Sequence, residues 1–161
     1  MHPALSTLPS NPVPWSADWV WGCPLIVLTV IIHVVGLGLI ARLDVASYGE
    51  GLHYHQRVAT GAVILAATTV FATVLHGFEA GVWAISYCFI GALPDFKSAM
   101  LYSLGAMTTY GHDVLALQPH WRMLGAIEAL NGWLLFGLSG AFLFWIIQTL
   151  WSTPQRQQPT T

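Results

Sequence analysis

Charge is what this chain most lacks. Five of its 161 residues are Lys or Arg and seven are Asp or Glu, 7% in all, against roughly 25% in a soluble globular domain. Five basic residues make no nucleic-acid footprint, so no nucleic-acid partner is expected. A net charge of -2 points to no strongly charged partner of any kind. Cysteine is scarce too. Cys23 and Cys88 form no CxxC pair, which argues against a thiolate metal or redox site. They read as small buried hydrophobes, with a Cys23–Cys88 disulfide left open if both lie on an oxidising side. No Lys or Arg precedes Arg42, so the basic region of a signal peptide is missing. There is no phosphate-binding glycine loop. Ser103, Ser139 and Ser152 have no histidine and carboxylate that the sequence places nearby. Neither an enzyme activity nor a metal or cofactor site is expected.

What fills the space is apolar: 55% of the residues are hydrophobic and eight are Trp. A single soluble domain of this size has too little interior to hide that much apolar surface, and indole favours the headgroup level of a bilayer. The lipid bilayer is therefore the expected surroundings. Residues 1–18 read as a loose N-terminal tail and 152–161 as a short polar C-terminal tail. Residues 19–42 hold a first membrane span. Residues 42–57 collect Arg42, Asp44, Glu50, His53, His55 and Arg57 into a polar connector, a solvated loop rather than a metal site. A second span starts at residue 58. Glu79 interrupts it, and the apolar text through residue 93 exceeds one membrane thickness, so its second half is expected to bend away or project.

Pro94-Asp95 then marks a helix start. The apolar stretch that follows ends at Met107 and is too short to cross a bilayer. Non-helical text comes next (Tyr110-Gly111-His112-Asp113), and then a full span over 121–151. A half-crossing helix with a return loop is a re-entrant segment. Irregular backbone at membrane depth is tolerated only inside protein or against a watery cavity, and copies of one loop around a central pore meet that condition. The fold class expected is thus an all-α membrane protein with three transmembrane helices plus one re-entrant pore helix and filter loop. Three basic residues fall on the connector and C-terminal tail and two on the loop side. The positive-inside rule makes the C-terminus cytoplasmic and the N-terminus external.

Residues 97–144 resemble the pore domain of small prokaryotic potassium-channel-like proteins. The matching text is Pro94-Asp95-Phe96, Ala99-Met100-Leu101-Tyr102-Ser103, Thr108-Thr109, Gly111, Trp121-Arg122 and Glu128-Ala129-Leu130-Asn131-Gly132. The resemblance implies a pore domain over 58–151, with an outer helix, a pore helix at 96–107, a filter at 108–113 and an inner helix at 121–151. It implies a homo-tetramer in the cell (inner) membrane conducting a monovalent cation, potassium first, whose hydration shell is replaced by filter carbonyls. The residues at 19–42 are an addition to the two-helix plan. Thr109 and Gly111 match the family's filter. Tyr110, His112 and Asp113 depart from it, so strict potassium selectivity does not carry over. A ring of Asp113 side chains would attract cations, and His112 would add a response to pH.

Glu128, an ionisable residue inside a span, is expected to brace the filter from behind, with Asn131 as interhelical glue. Gly132, Gly137 and Gly140 are candidate bending points of a gate, and Phe136 and Phe142 a candidate apolar constriction. His120-Trp121 reads as an interfacial anchor. His33 and His76 invite a bis-histidine haem reading. Counting helix rise from Arg42 and from Arg57 puts them roughly 14 Å and roughly 28 Å from the inner boundary, which argues against one shared group. Two other readings stay open: a pore fold that does not conduct and acts through partners, and a small membrane redox subunit holding haem.

Overall fold

Three helices of this chain are long and apolar enough to cross a membrane, over Ser16–Arg42, Val58–Phe89 and Pro119–Leu150. A computed structural model describes residues 16–47, 54–111 and 115–151. The described residues form α1 (Ser16–Ser47), α2 (Tyr54–Phe89), α3 (Phe96–Met107) and α4 (Arg122–Trp151), the last entered through a 3-10 turn at Pro119–Trp121. No strand occurs among them.

The distribution of side chains is the reverse of a water-soluble bundle. Val20, Val27, Ile31, Val35, Val63, Val70, Val74, Phe78, Ile85 and Leu134 face outward, while Asp18, Thr29, His33, Thr68, His76, Glu79, Ser103, Glu128, Asn131 and Ser139 are buried. Lipid rewards the first arrangement and forces polar groups to satisfy one another inside. Thr29 and Thr68 do so locally, donating to the carbonyls of Leu25 and Ile64 at 2.9 and 2.8 Å. The regular structure among the described residues is thus all helical, and the chain carries the features of a multi-pass membrane protein.

The first span starts earlier than the sequence expectation and ends, as expected, at Arg42. Helix α1 begins at Ser16, inside the expected tail, and runs on to Ser47. Asp18 is buried because its carboxylate accepts the Leu124 amide at 2.9 Å. That amide belongs to the first turn of α4, where backbone donors lack intrahelical partners and negative charge is favoured. Helix α2 is a single run of 36 residues, so Glu79 interrupts nothing. Its carboxylate meets His33 on α1 and so has no need to leave the apolar interior. Cys23 is exposed and Cys88 half-buried, and neither forms a disulfide.

Direction follows from who touches whom. On α1 and α4, Asp18 meets Leu124, Thr29 meets Asn131 and His33 meets Ser139, so the two helices run parallel. Helix α2 runs against both. The short α3 lies between α2 and α4: Tyr87 and Tyr102 stack edge to face at 5.4 Å. Ser103 bonds both the Ala80 carbonyl and Glu128. The end of α3 presses Met107 onto Gly132, where any Cβ would collide with the Met107 backbone. Helix α3 therefore runs alongside the first part of α4 in the same direction. Gly132 lies ten residues into α4, about 15 Å along its axis. The chain then turns back, and Gln118 donates to the Gly91 carbonyl at 3.0 Å, level with the α2–α3 connection.

Candidate functional site

The tip of that excursion is the first place of interest. Asp95 starts α3, accepting the Ser98 amide at 2.9 Å in extended geometry (φ -148°). This hydrogen bond to the Ser98 amide holds the Asp95 carboxyl below the ordinary aspartate range. At the other end Thr108 caps the helix through its amide and, at 2.6 Å, its hydroxyl, both directed at the Leu104 carbonyl. The backbone then becomes left-handed at Thr109 (φ 56°), is not so at Tyr110, and is left-handed again at Gly111 (φ 73°). A β-branched residue at positive φ is an outlier and costs of order 1–3 kcal/mol, whereas Gly takes it freely. The Gly111 amide reaches back to the Gly105 carbonyl at 3.3 Å. Thr108, Thr109, Tyr110 and Gly111 are all exposed in the single chain. His112 and Asp113 lie outside the described residues, as do the side chains of Glu50, His53 and His55.

Behind α3 stands Glu128, wholly buried. Tyr87 donates to its Oε2 at 2.6 Å, and Ser103 Oγ lies against its Oε1. Ser103 Oγ also lies 2.8 Å from the Ala80 carbonyl. A hydroxyl has one proton to give, and a carbonyl has none. Both Ser103 contacts are hydrogen bonds only when Glu128 carries a proton and donates it to Ser103. The residue thus clasps α2, α3 and α4 at one point. Asn131, three residues on, donates to Thr29 of α1 at 2.8 Å.

Along α4, Gly132 is closed by Met107, whereas Gly137 and Gly140 have open space around them. Phe136 stacks on His76 at 4.3 Å and Phe142 on Trp145 at 5.7 Å. A pocket of about 480 Å³ lies below the tip of α3, between Met107, Thr108 and Thr109 on one side and Trp133, Phe136 and Gly137 on the other.

The second place of interest was not legible in the sequence. His33 and His76, assigned there to different depths, have ring centroids 5.0 Å apart. The depth count assumed that Arg42 and Arg57 sit level. In the fold the level is set by fit: Gly36 leaves room for Leu75, whose Cδ2 would lie 2.8 Å from a Cβ there, and this seats His33 beside Glu79. A closed ring results. His33 Nδ1 lies 2.8 Å from Glu79 Oε1, and His76 Nδ1 lies 3.2 Å from Glu79 Oε2. The other nitrogens, His33 Nε2 and His76 Nε2, lie 3.1 and 3.0 Å from Ser139 Oγ. All four residues are buried. The two Nε2 atoms converge on one hydroxyl oxygen and the two Nδ1 atoms on one carboxylate, not on opposite faces of a plane, so the arrangement is not that of two axial haem ligands. The one hint in the sequence was the i, i+3 spacing of His76 and Glu79, which puts both on one helix face.

No protein-family model, curated protein or solved structure matches this chain.

Proposed function

We propose that this chain is the pore-forming subunit of a channel for monovalent cations, potassium foremost, built by four copies around an axis with residues 108–113 at the narrowest point. The observation that carries the reading is the α3 excursion. It descends about 15 Å beside α4, half of a hydrocarbon core roughly 30 Å thick, and turns around on exposed, non-helical backbone. Such backbone is tolerated at that depth only under protein or beside water. One chain leaves it bare, so further copies cover one side of the tip and water reaches the other. In this reading α3 is a re-entrant pore helix, α2 the outer helix and α4 the inner helix.

Three further observations support it. Alternating handedness at Thr109, Tyr110 and Gly111 suits a strand that turns successive carbonyls toward one side, as stripping an ion of water requires. Glu128, Ser103 and Tyr87 brace α3 from behind. The pocket beneath the tip becomes the wall of an inner chamber, where Phe136 narrows the path and Gly137 leaves the helix free to adjust. The tip enters from outside and the C-terminal end of α4 lies at the cytoplasm.

The test is cation flux from liposomes carrying the purified protein, with potassium or sodium inside, for the parent and for Thr109→Ala, His112→Ala and Asp113→Ala. Flux that prefers potassium and changes selectivity in Thr109→Ala or Asp113→Ala supports the reading. No cation flux from correctly folded parent protein at pH 5.5 or 7.5 sinks it.

A further inference from the structure

We infer that His33, His76 and Glu79 bind a divalent first-row transition metal of the zinc type, with Ser139 fixing both imidazoles from behind. The three residues offer ligand atoms that all lie within 4.8 Å of one another, and all three are buried. Both Nδ1 atoms face one carboxylate, at 2.8 and 3.2 Å from its two oxygens. Ligands bonded tetrahedrally to zinc at about 2.0–2.1 Å stand about 3.3 Å from one another. Seating the ion between them therefore asks for adjustments of ångström size.

The far side of the rings decides the tautomers. An imidazole that ligates through Nδ1 carries its proton on Nε2 and needs an acceptor there. Here both Nε2 atoms converge on Ser139 Oγ, at 3.1 and 3.0 Å, and a hydroxyl oxygen has two lone pairs to receive them. One outer-shell serine thus orients two ligands.

Hydrogen bonding alone does not satisfy the same ring. His76 Nδ1 and Glu79 Oε2 lie 3.2 Å apart, yet neither makes a hydrogen bond. Two buried, unaligned polar atoms facing one point are costly, and an ion between them uses both lone pairs. Two nitrogens and one carboxylate suit zinc and its neighbours; magnesium, calcium and the alkali cations prefer all-oxygen sites. Glu79 neutralises half of the metal charge. A bound water in the open fourth position, whose pKa falls to about 7 on zinc, neutralises the rest when it loses a proton. The ion would tie α1 to α2 and, through Ser139, to α4. That gives the first helix a purpose, and the inference stands whether or not the chain conducts.

The experiment is metal binding by tag-free protein in detergent, stripped with chelator and titrated with Zn²⁺ by calorimetry and with Co²⁺ by visible absorption. The expected result is one equivalent per chain, with ligand-field bands of a four-coordinate site. Affinity should fall at least about 100-fold in His33→Ala, His76→Ala and Glu79→Gln, and about 10- to 100-fold in Ser139→Ala. Binding of neither metal by the folded parent overturns the inference, and so does affinity that the ligand variants leave unchanged. If the ligand variants do not fold, Ser139→Ala decides: a weaker site supports the assignment and unchanged affinity overturns it.

Discussion

Removing the carboxylate at position 128 should be far more damaging than replacing it with its neutral amide. Glu128→Ala leaves the Tyr87 hydroxyl without its partner in a fully buried site, which costs about 1–3 kcal/mol. One buried methylene is lost as well, at about 0.8 kcal/mol. Ser103 retains the Ala80 carbonyl. The expected destabilisation is about 2–4 kcal/mol. Glu128→Gln keeps the shape. Its amide nitrogen donates to Ser103 where the protonated carboxyl did, and its carbonyl accepts from Tyr87, so the cost should stay within about 1 kcal/mol. The assay is reversible unfolding in mixed micelles, followed by tryptophan fluorescence, with the two variants beside the parent. Glu128→Gln falling as far as Glu128→Ala would refute the proton count. Glu128 would then be ionised, with Ser103 donating to it and the Ala80 carbonyl served only within its own helix.

Two further predictions test the packing of α3. Gly132→Ala drives a methyl into the Met107 backbone and should cost about 1–3 kcal/mol through overpacking, read in the same unfolding assay. The matched change Gly38→Ala, which meets nothing within 4 Å, should stabilise α1 by up to about 1 kcal/mol. Equal effects at the two glycines would show that α3 does not bear on α4 where it is placed. The Asp95 cap should be sensitive to acid. Because the folded carboxyl titrates below its ordinary value, its contribution is complete above the unfolded pKa. It fades as pH falls through the lowered one. Amide exchange in the first turn of α3 should accelerate in that window, and Asp95→Asn, which caps without titrating, should abolish the change.

Much of the architecture was already present in local text. Hydropathy over some 20 residues is a property of the residues themselves, so the three long helices could be read directly. Pro94 and Asp95 likewise announce α3, because an N-cap acts within three residues of itself. The contrast between a short apolar helix and the full span that follows also lies on the surface of the sequence. The ends were less legible. Asp18 looked like solvated tail and Glu79 like a break, since a lone carboxylate in apolar text gives no sign of its partner.

Partnership between distant residues is what only the tertiary structure decided. Glu128 shows itself as a buried acid in the sequence, but that it clasps Ser103 and Tyr87 depends on how α3 nests between α2 and α4. His33, His76, Glu79 and Ser139 come from three helices. Their meeting depends on the relative level of those helices, which one close approach, Gly36 against Leu75, helps to set. A shift of one helical turn, about 5.4 Å, would part every contact of that ring that runs between helices. Local composition determines that helices form and that lipid surrounds them. Steric fit between helices, which no single segment encodes, determines which polar groups end up facing one another.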